Sequence, residues 1–209
     1  RAILDGSFPI NSTLPAEREL SGMLGVTRPT LREVLQRMSR DGWLEIRHGK
    51  ATRVRNYWRE GTISILGTIA RDQDQVPPNF VGNLLQVRMV LAPAYFCTAL
   101  QHNPLEVVAL VENLLSLEDT PAAYAQGDWQ LHQQLTILSG NPVFTLILNG
   151  FDELYNRMGL QYFAAASARA HSHQFYINLL SAAQAGDCAA VETLVRRVMT
   201  DSLAIWLNL

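Results

Sequence analysis

The amino-acid sequence predicts a mainly α-helical protein with one small β-hairpin near its N-terminus. Residues 14–54 show the pattern of a short helix, a glycine turn, a longer helix and two short basic strands. Every segment after Phe80 has helical spacing, and none shows the alternation of a strand. We therefore expect a winged helix-turn-helix followed by an antiparallel α-helical bundle of about six or seven helices.

The first helix of the helix-turn-helix is expected to begin at Pro15, because proline lacks the N–H that a helix start leaves unpaired. Gly25 is expected to end it with a positive φ. Ile3–Asp5 are interpreted as the end of a truncated helix that Gly6 closes, and Phe8-Pro9-Ile10-Asn11 as a loop. The predicted apolar face consists of Leu20, Met23 and Leu24.

The second helix is expected to begin after Thr27, a good N-cap residue, with Pro29 just inside it. The predicted inward positions are Leu31, Val34, Leu35 and Met38. The opposite face is polar and basic. The predicted hairpin pairs strands Trp43–Arg47 and Ala51–Arg55 across the turn His48-Gly49-Lys50.

The helical part is divided by turn residues and by proline-initiated helices. The predicted helices are Phe80–Leu100, Pro104–Leu117, Pro121–Leu138, Pro142–Phe163, Ala168–Ala185 and Cys188–Leu207. Before them, the polar and proline-rich segment 71–79 indicates a break. We therefore predict a DNA-binding domain at residues 1–57, a linker at 58–79 and a helical domain at 80–209.

The charge is distributed unevenly around a net charge of −2. Residues 1–57 carry ten Lys and Arg against six Asp and Glu, and residues 58–209 carry seven against thirteen. This asymmetry indicates that only the first part meets a polyanion. A helix entering the major groove needs short polar and basic side chains at its N-terminal turn, which Thr27, Arg28, Thr30 and Arg32 supply.

Other functional classes find little support. No apolar run reaches the roughly 18 residues of a membrane span, so we expect a cytoplasmic protein without membrane contact. Cys97 and Cys188 lack metal-ligand spacing and are interpreted as buried free thiols. No nucleophile elbow, P-loop or zinc-protease motif is present, so we expect no enzyme activity.

The motifs of this chain resemble the GntR family of bacterial transcription factors, and most closely its acyl-CoA-responsive branch that regulates fatty-acid metabolism. The N-terminal motifs that carry the resemblance are LPAEREL at 14–20, GVTRPTLRE at 25–33, DGWL at 41–44 and HGK at 48–50. The C-terminal motifs are NLLQVR at 83–88, SGNP at 139–142, LILNG at 146–150, YFA at 162–164 and IW at 205–206.

The resemblance implies a homodimer that binds a palindromic double-stranded DNA operator and is released by long-chain acyl-CoA, with no cofactor. It would repress degradation genes and could activate synthesis genes. The implied DNA contacts are Arg18, Thr27, Arg28, Thr30, Arg32, His48 and Gly49. Pro29 departs from the threonine expected there.

The resemblance also implies an acyl-CoA site inside the helical domain. Its matching positions are Arg88, Tyr155, Tyr162, Asp201, Ser202 and Trp206. Met199 replaces an expected glycine and Leu203 a smaller residue, so both are expected to reshape the cavity.

A metal-dependent sensor of a small carboxylate is the alternative. Related GntR effector domains bind a divalent metal through an Asp-x-x-x-His pair and two later histidines. Asp128 and His132 form such a pair, but the later positions are Tyr176 and Val198. We therefore expect no metal site.

Overall fold

The structure, a computed structural model, describes residues 1–47, 49–71 and 79–208, with the backbone alone for residues 70 and 71. The predicted DNA contact His48 and most of the proline-rich part of the predicted linker lie outside the described residues. The chain divides into two compact units, Arg1–Val76 and Pro77–Leu209.

The N-terminal unit contains a helix-turn-helix and a two-stranded antiparallel sheet. Its elements are α1 (Glu17–Leu24), α2 (Arg28–Arg40), β1 (Leu44–Glu45), β2 (Arg53–Val54), α3 (Tyr57–Glu60) and α4 (Ile65–Arg71). The hydroxyl of Thr27 accepts a hydrogen bond from the backbone N–H of Thr30 at 3.4 Å, which caps α2 as expected. Gly25 ends α1 with φ 66°.

The apolar face of the helix-turn-helix is narrower than predicted. Leu20, Leu31 and Leu35 are buried, but the prediction that Met23, Leu24 and Val34 also face inward was wrong, because these side chains are 64%, 58% and 48% exposed. Successive helical residues are rotated by about 100°. Val34 therefore lies about 60° from Leu31 and about 100° from Leu35, at the margin of the buried face of α2.

The hairpin strands are shorter than predicted: Leu44 pairs with Val54, and Glu45 pairs with Arg53. The strand β2 also bonds the chain before α1. The N–H of Val54 donates to the Ser12 carbonyl at 2.8 Å, and Thr13 forms an isolated bridge with Arg53. The strand β2 is therefore hydrogen-bonded on both of its edges.

The C-terminal unit is a bundle of seven helices over its described residues. They are α5 (Phe80–His102), α6 (Pro104–Leu114), α7 (Pro121–Leu138), α8 (Pro142–Asn149), α9 (Asp152–Ala164), α10 (Ala166–Gln184) and α11 (Cys188–Trp206). The centre is fully buried and is built from large side chains of several helices, including Phe96, Leu131, Tyr176 and Val195.

Helix α5 packs along α11 through the middle of the bundle. It is also the one helix of the described chain that is long and apolar enough to cross a membrane. Its buried residues Tyr95, Phe96 and Ala99 belong to the bundle core, and Arg88 pairs with Asp128 of α7.

The predicted single helix Pro142–Phe163 was wrong, because the chain forms two helices that meet at Gly150 and Phe151. Glycine is a poor helix former, and Asp152 and Glu153 favour a new N-terminus directly after it. The change of direction lets Phe151 face the same cavity as residues of both helices.

The two cysteines are free and half-buried. The Cys188 thiol at the start of α11 donates to the Cys97 carbonyl oxygen of α5 at 3.5 Å. Burial and the neighbouring Cys188 thiol raise the pKa of Cys97 to about 12. The Cys97 thiol is therefore protonated at neutral pH and is a poor nucleophile.

Candidate functional site

The six described residues of the predicted DNA interface are all exposed on the N-terminal unit. They are Arg18, Thr27, Arg28, Thr30, Arg32 and Gly49. Five of them lie on α1, on α2 or at the cap between these helices, whereas Gly49 lies in the hairpin turn. Gly49 has φ 69° and open space on its Cβ side, so the turn tip is compact.

The first turn of α2 presents its polar groups in a fixed arrangement. The hydroxyls of Thr27 and Thr30 are hydrogen-bonded to each other at 2.9 Å. Arg32 lies one turn further on and forms an ion pair with Glu17 of α1 at 2.6 Å. The ion pair uses Arg32 Nε and leaves the side chain 60% exposed, so Glu17 can orient Arg32 without excluding a DNA contact.

A cavity in the C-terminal unit lies among α5, α7, α8, α9, α10 and α11. The space between its walls is about 860 Å³, including the part that opens to solvent. Its lining is predominantly apolar, with residues such as Val81, Leu84, Leu85, Leu148, Phe151 and Met158. An apolar cavity with a few polar groups is the usual form of a small-molecule site.

Five of the six residues predicted to bind the ligand line this cavity. They are Arg88, Tyr155, Tyr162, Ser202 and Trp206. The Tyr162 hydroxyl donates to Ser202 Oγ at 3.2 Å. The sixth, Asp201, is absent from the described lining, and its carboxylate faces His171 at 3.8 Å and Arg197 at 3.7 Å.

Met199 and Leu203, the two α11 residues that differ from the family pattern, lie differently relative to the cavity. Met199 is buried and forms part of the wall, so it narrows the space that a glycine would leave. Leu203 is absent from the described lining, and its Cδ1 would lie 3.7 Å from a Cβ placed at Gly82. Of these two residues, Met199 is therefore the one that changes the shape of the cavity.

A charged cluster lies at the polar side of the cavity. The Asp128 carboxylate accepts hydrogen bonds from the hydroxyls of Tyr155 and Tyr176, the latter at 3.2 Å, and from Arg88 Nη2 at 3.4 Å. The Tyr155 ring covers the Arg88 guanidinium at 4.9 Å. Arg88 Nη2 also donates to His132 Nε2 at 2.5 Å.

Burial controls the ionisation of this cluster. Desolvation raises the pKa of Asp128, although Arg88 and Tyr176 act in the opposite direction. Desolvation and the Arg88 charge hold the pKa of His132 well below its usual value. Desolvation and the Asp128 charge hold the pKa of Tyr176 well above its usual value. His132 is therefore neutral in the folded protein near pH 7.

We expect the neutral state of His132 to make stability fall with acidification. An unfolded chain protonates this histidine below about pH 6.5. The folded chain does not, because its pKa is depressed. The unfolded state then binds more protons, so the free energy of unfolding decreases as pH falls through this range, by at most about 1.4 kcal/mol per pH unit. Urea denaturation at pH 7.5, 6.5 and 5.5 measures this slope.

The matched variant for this experiment is His132→Gln, which carries no titratable group. Its free energy of unfolding should decrease less steeply between pH 7.5 and 5.5 than that of the unchanged protein. Equal slopes in the two proteins would contradict a neutral His132.

Asp128 and His132 are the pair that a metal-dependent sensor would use to bind its metal ion. In this structure their partner is the guanidinium group of Arg88. Arg88 Nη2 contacts both Asp128 Oδ2 and His132 Nε2. Tyr176 stands at one of the two positions where the metal-binding pattern has a later histidine, and its hydroxyl donates a hydrogen bond to Asp128. Within the described chain, no three His, Cys, Asp or Glu residues are grouped to hold a metal ion. This geometry disfavours the alternative.

Sequence reasoning missed Tyr95 and Phe151 as parts of the cavity and its polar cluster, and it considered Tyr176 only as the occupant of a metal-ligand position. They have no local signal, because each is an aromatic residue at a helical or turn position that also suits ordinary packing. His132 had a signal, its four-residue spacing from Asp128, but that spacing suggested a metal rather than a guanidinium partner.

Comparison with known families assigns both parts of the chain. Residues 1–54 match the family described as bacterial regulatory proteins, gntR family. Residues 55–209 match the family described as FadR C-terminal domain. Among curated relatives, a "Fatty acid metabolism regulator protein" of Shewanella pealeana is 46% identical over 209 residues, covering 100% of this chain and 87% of the relative. A protein of the same name from Shewanella baltica is 47% identical, covering 100% and 88%.

Solved structures show the same fold at low sequence identity. E. coli McbR/YncC has a TM-score of 0.54 at 16% identity and covers 99% of this chain and 92% of that chain. A Listeria monocytogenes structure, described as Lar, which controls expression of the agr system, has a TM-score of 0.65 at 13% identity, covering 98% and 91%. The exposed helix-turn-helix, the apolar cavity and the family matches together show that this chain belongs to the GntR family of bacterial regulators and carries a FadR-type C-terminal domain.

Proposed function

We propose that this protein is a DNA-binding transcriptional regulator of fatty-acid metabolism, released from its operator by long-chain acyl-CoA. The observation that carries the proposal is the predominantly apolar cavity of the C-terminal unit, with Arg88 on its polar side. An alkyl chain gains free energy by burial at about 0.8 kcal/mol per CH₂, and arginine suits the polar head. The full-length likeness to fatty acid metabolism regulator proteins supports it.

In this proposal the protein acts in the cytoplasm, where it represses degradation genes and can activate synthesis genes. Residues 1–57 bind DNA, 58–79 connect and 80–209 bind the effector. The DNA contacts are Arg18, Thr27, Arg28, Thr30, Arg32, His48 and Gly49. The ligand contacts are Arg88, Tyr155, Tyr162, Ser202 and Trp206, with Asp201 outside the cavity wall. A homodimer follows from the two half-sites of a palindromic operator.

Oleoyl-CoA should lower the affinity of the protein for a palindromic operator from a fatty-acid gene. Fluorescence anisotropy of labelled operator DNA measures this, with CoA and acetyl-CoA as ligands that lack the long chain. Because coupling between two binding sites is reciprocal, operator DNA should weaken oleoyl-CoA binding by the same factor. A flat titration by folded protein would remove acyl-CoA as the effector.

Two substitutions on α11 test whether the cavity is the site. Ser202→Phe places a ring in the cavity and should abolish the response to oleoyl-CoA while operator binding persists. Thr200→Phe is the matched control, because Thr200 is exposed on the same helix. An undiminished response in Ser202→Phe would place the effector elsewhere.

A further inference from the structure

The Arg88 guanidinium is held from one side by two residues of α7. Asp128 and His132 are four residues apart, so they lie on the same face of that helix. Arg88 Nη2 donates to both, at 3.4 Å and 2.5 Å. One end of the guanidinium is therefore fixed by protein groups alone.

The hydrogen-bond donors determine which nitrogen of His132 carries its proton. A guanidinium nitrogen can only donate, so His132 Nε2 must accept. The proton of the neutral ring then lies on Nδ1, which donates to the Tyr95 hydroxyl oxygen at 2.5 Å. His132 is fully buried and Tyr95 is 3% exposed, so this arrangement is shielded from water.

Arg88 has three N–H donors that these contacts do not use, the one on Nε and the two on Nη1. Its buried Nε–H has no hydrogen-bond partner among the described residues. Arg88 is also one of the residues that line the cavity. A buried unpaired donor is costly, and an acceptor on a bound ligand would remove that cost.

We propose that His132 and Tyr95 are positioning residues that orient Arg88 to donate a hydrogen bond to the carbonyl oxygen at the head of a bound acyl chain. This inference rests on the proposed function, because it takes a fatty acyl group as the ligand. A thioester and a free carboxylate both offer such an oxygen. His132 and Tyr95 act through Arg88 and do not touch the ligand.

The test compares two ligands that differ in one oxygen. Palmitoyl-CoA has the thioester carbonyl, and S-hexadecyl-CoA is the thioether without it. Titration calorimetry of the full chain should show a preference for palmitoyl-CoA of about 10- to 100-fold, the size expected of one hydrogen bond from a charged donor. Palmitate in a third titration identifies the source of the oxygen. If palmitate binds more tightly than palmitoyl-CoA, the positioning role stands for a free carboxylate and acyl-CoA is contradicted as effector.

Substitutions of His132 and Tyr95 distinguish an effect on the orientation of Arg88 from an effect on core packing. His132→Phe keeps a ring but removes the acceptor, so the ratio of the two affinities should approach one. His132→Gln should retain the preference, because its amide oxygen accepts from Arg88 and its NH₂ donates to Tyr95. Tyr95→Phe should reduce the preference. His102→Gln is the control, since His102 faces the Ser139 carbonyl, outside the described cavity lining.

The result for the unchanged protein already decides between the two proposals. Equal affinities for the two CoA ligands would overturn the positioning role and leave acyl-CoA as the effector. Failure to bind either ligand would contradict the proposed function itself. An unchanged preference in His132→Phe or in Tyr95→Phe would also overturn the positioning role.

Discussion

Replacing Asp128 with alanine is expected to lower the free energy of unfolding of the C-terminal unit by about 3–5 kcal/mol. The carboxylate is buried and is the acceptor for Tyr155, Tyr176 and Arg88. Its removal leaves the Arg88 guanidinium, which is 18% exposed, without its countercharge. Two phenol hydroxyls also lose their acceptor. Urea denaturation of the variant and the unchanged protein measures the difference.

A second substitution and a surface control make this prediction specific. Adding Arg88→Met to Asp128→Ala should restore part of the lost stability, because the uncompensated cation is then absent. Glu192→Gln breaks the exposed ion pair with Arg196 on α11 and should change the free energy of unfolding by less than about 0.5 kcal/mol. A cost for Asp128→Ala as small as that of Glu192→Gln would mean that the cluster is solvated.

Arg28→Ala is expected to lower operator affinity by about 1–3 kcal/mol, the usual cost of losing one specific base contact. Arg28 is exposed at the first position of α2, where alanine is also a good helix residue. The fold should therefore survive. Affinity for unrelated DNA should fall less, because base contacts and not phosphate contacts carry the sequence preference. Anisotropy titrations of operator and scrambled DNA measure both affinities.

Arg40→Ala is the matched control for this substitution. Arg40 is exposed at the opposite end of the same helix and should leave the ratio of operator to scrambled affinity unchanged. Arg32→Ala should also lower operator affinity, because Arg32 is exposed on the same helix. Unaltered operator affinity in Arg28→Ala would refute the assignment of α2 as the DNA-reading helix.

The starts of α7 and α8 were predictable because their causes are local, whereas the predicted start of the first helix at Pro15 was wrong, since α1 begins at Glu17. Asn141 accepts a hydrogen bond from the Val143 N–H at 3.0 Å, and Thr120 accepts one from Ala123 at 3.2 Å. In each case a proline follows the cap residue and begins the helix. An N-cap residue and a following proline act within four residues of the helix start, so the start can be deduced from the local sequence.

Burial was harder to predict than helix position. The 3.6-residue pattern placed Val34 with Leu31 and Leu35, but a periodic pattern does not say how wide the covered face is. The break at Gly150 was missed for a related reason. The apolar residues on both sides of it fit one continuous helix as well as two.

The order of elements, the two-part organisation and the polar N-terminal turn of α2 follow from local propensities and charge, and the amino-acid sequence alone determined them. The tertiary structure decided what the Asp128–His132 spacing means. Helix α5 brings Arg88 to within hydrogen-bond distance of both residues, although it is 40 and 44 positions away in the chain. A contact over that separation depends on how α5 packs against α7, which no local pattern specifies. The same packing places the guanidinium at the edge of the apolar cavity, and so decides which chemistry a bound ligand would meet.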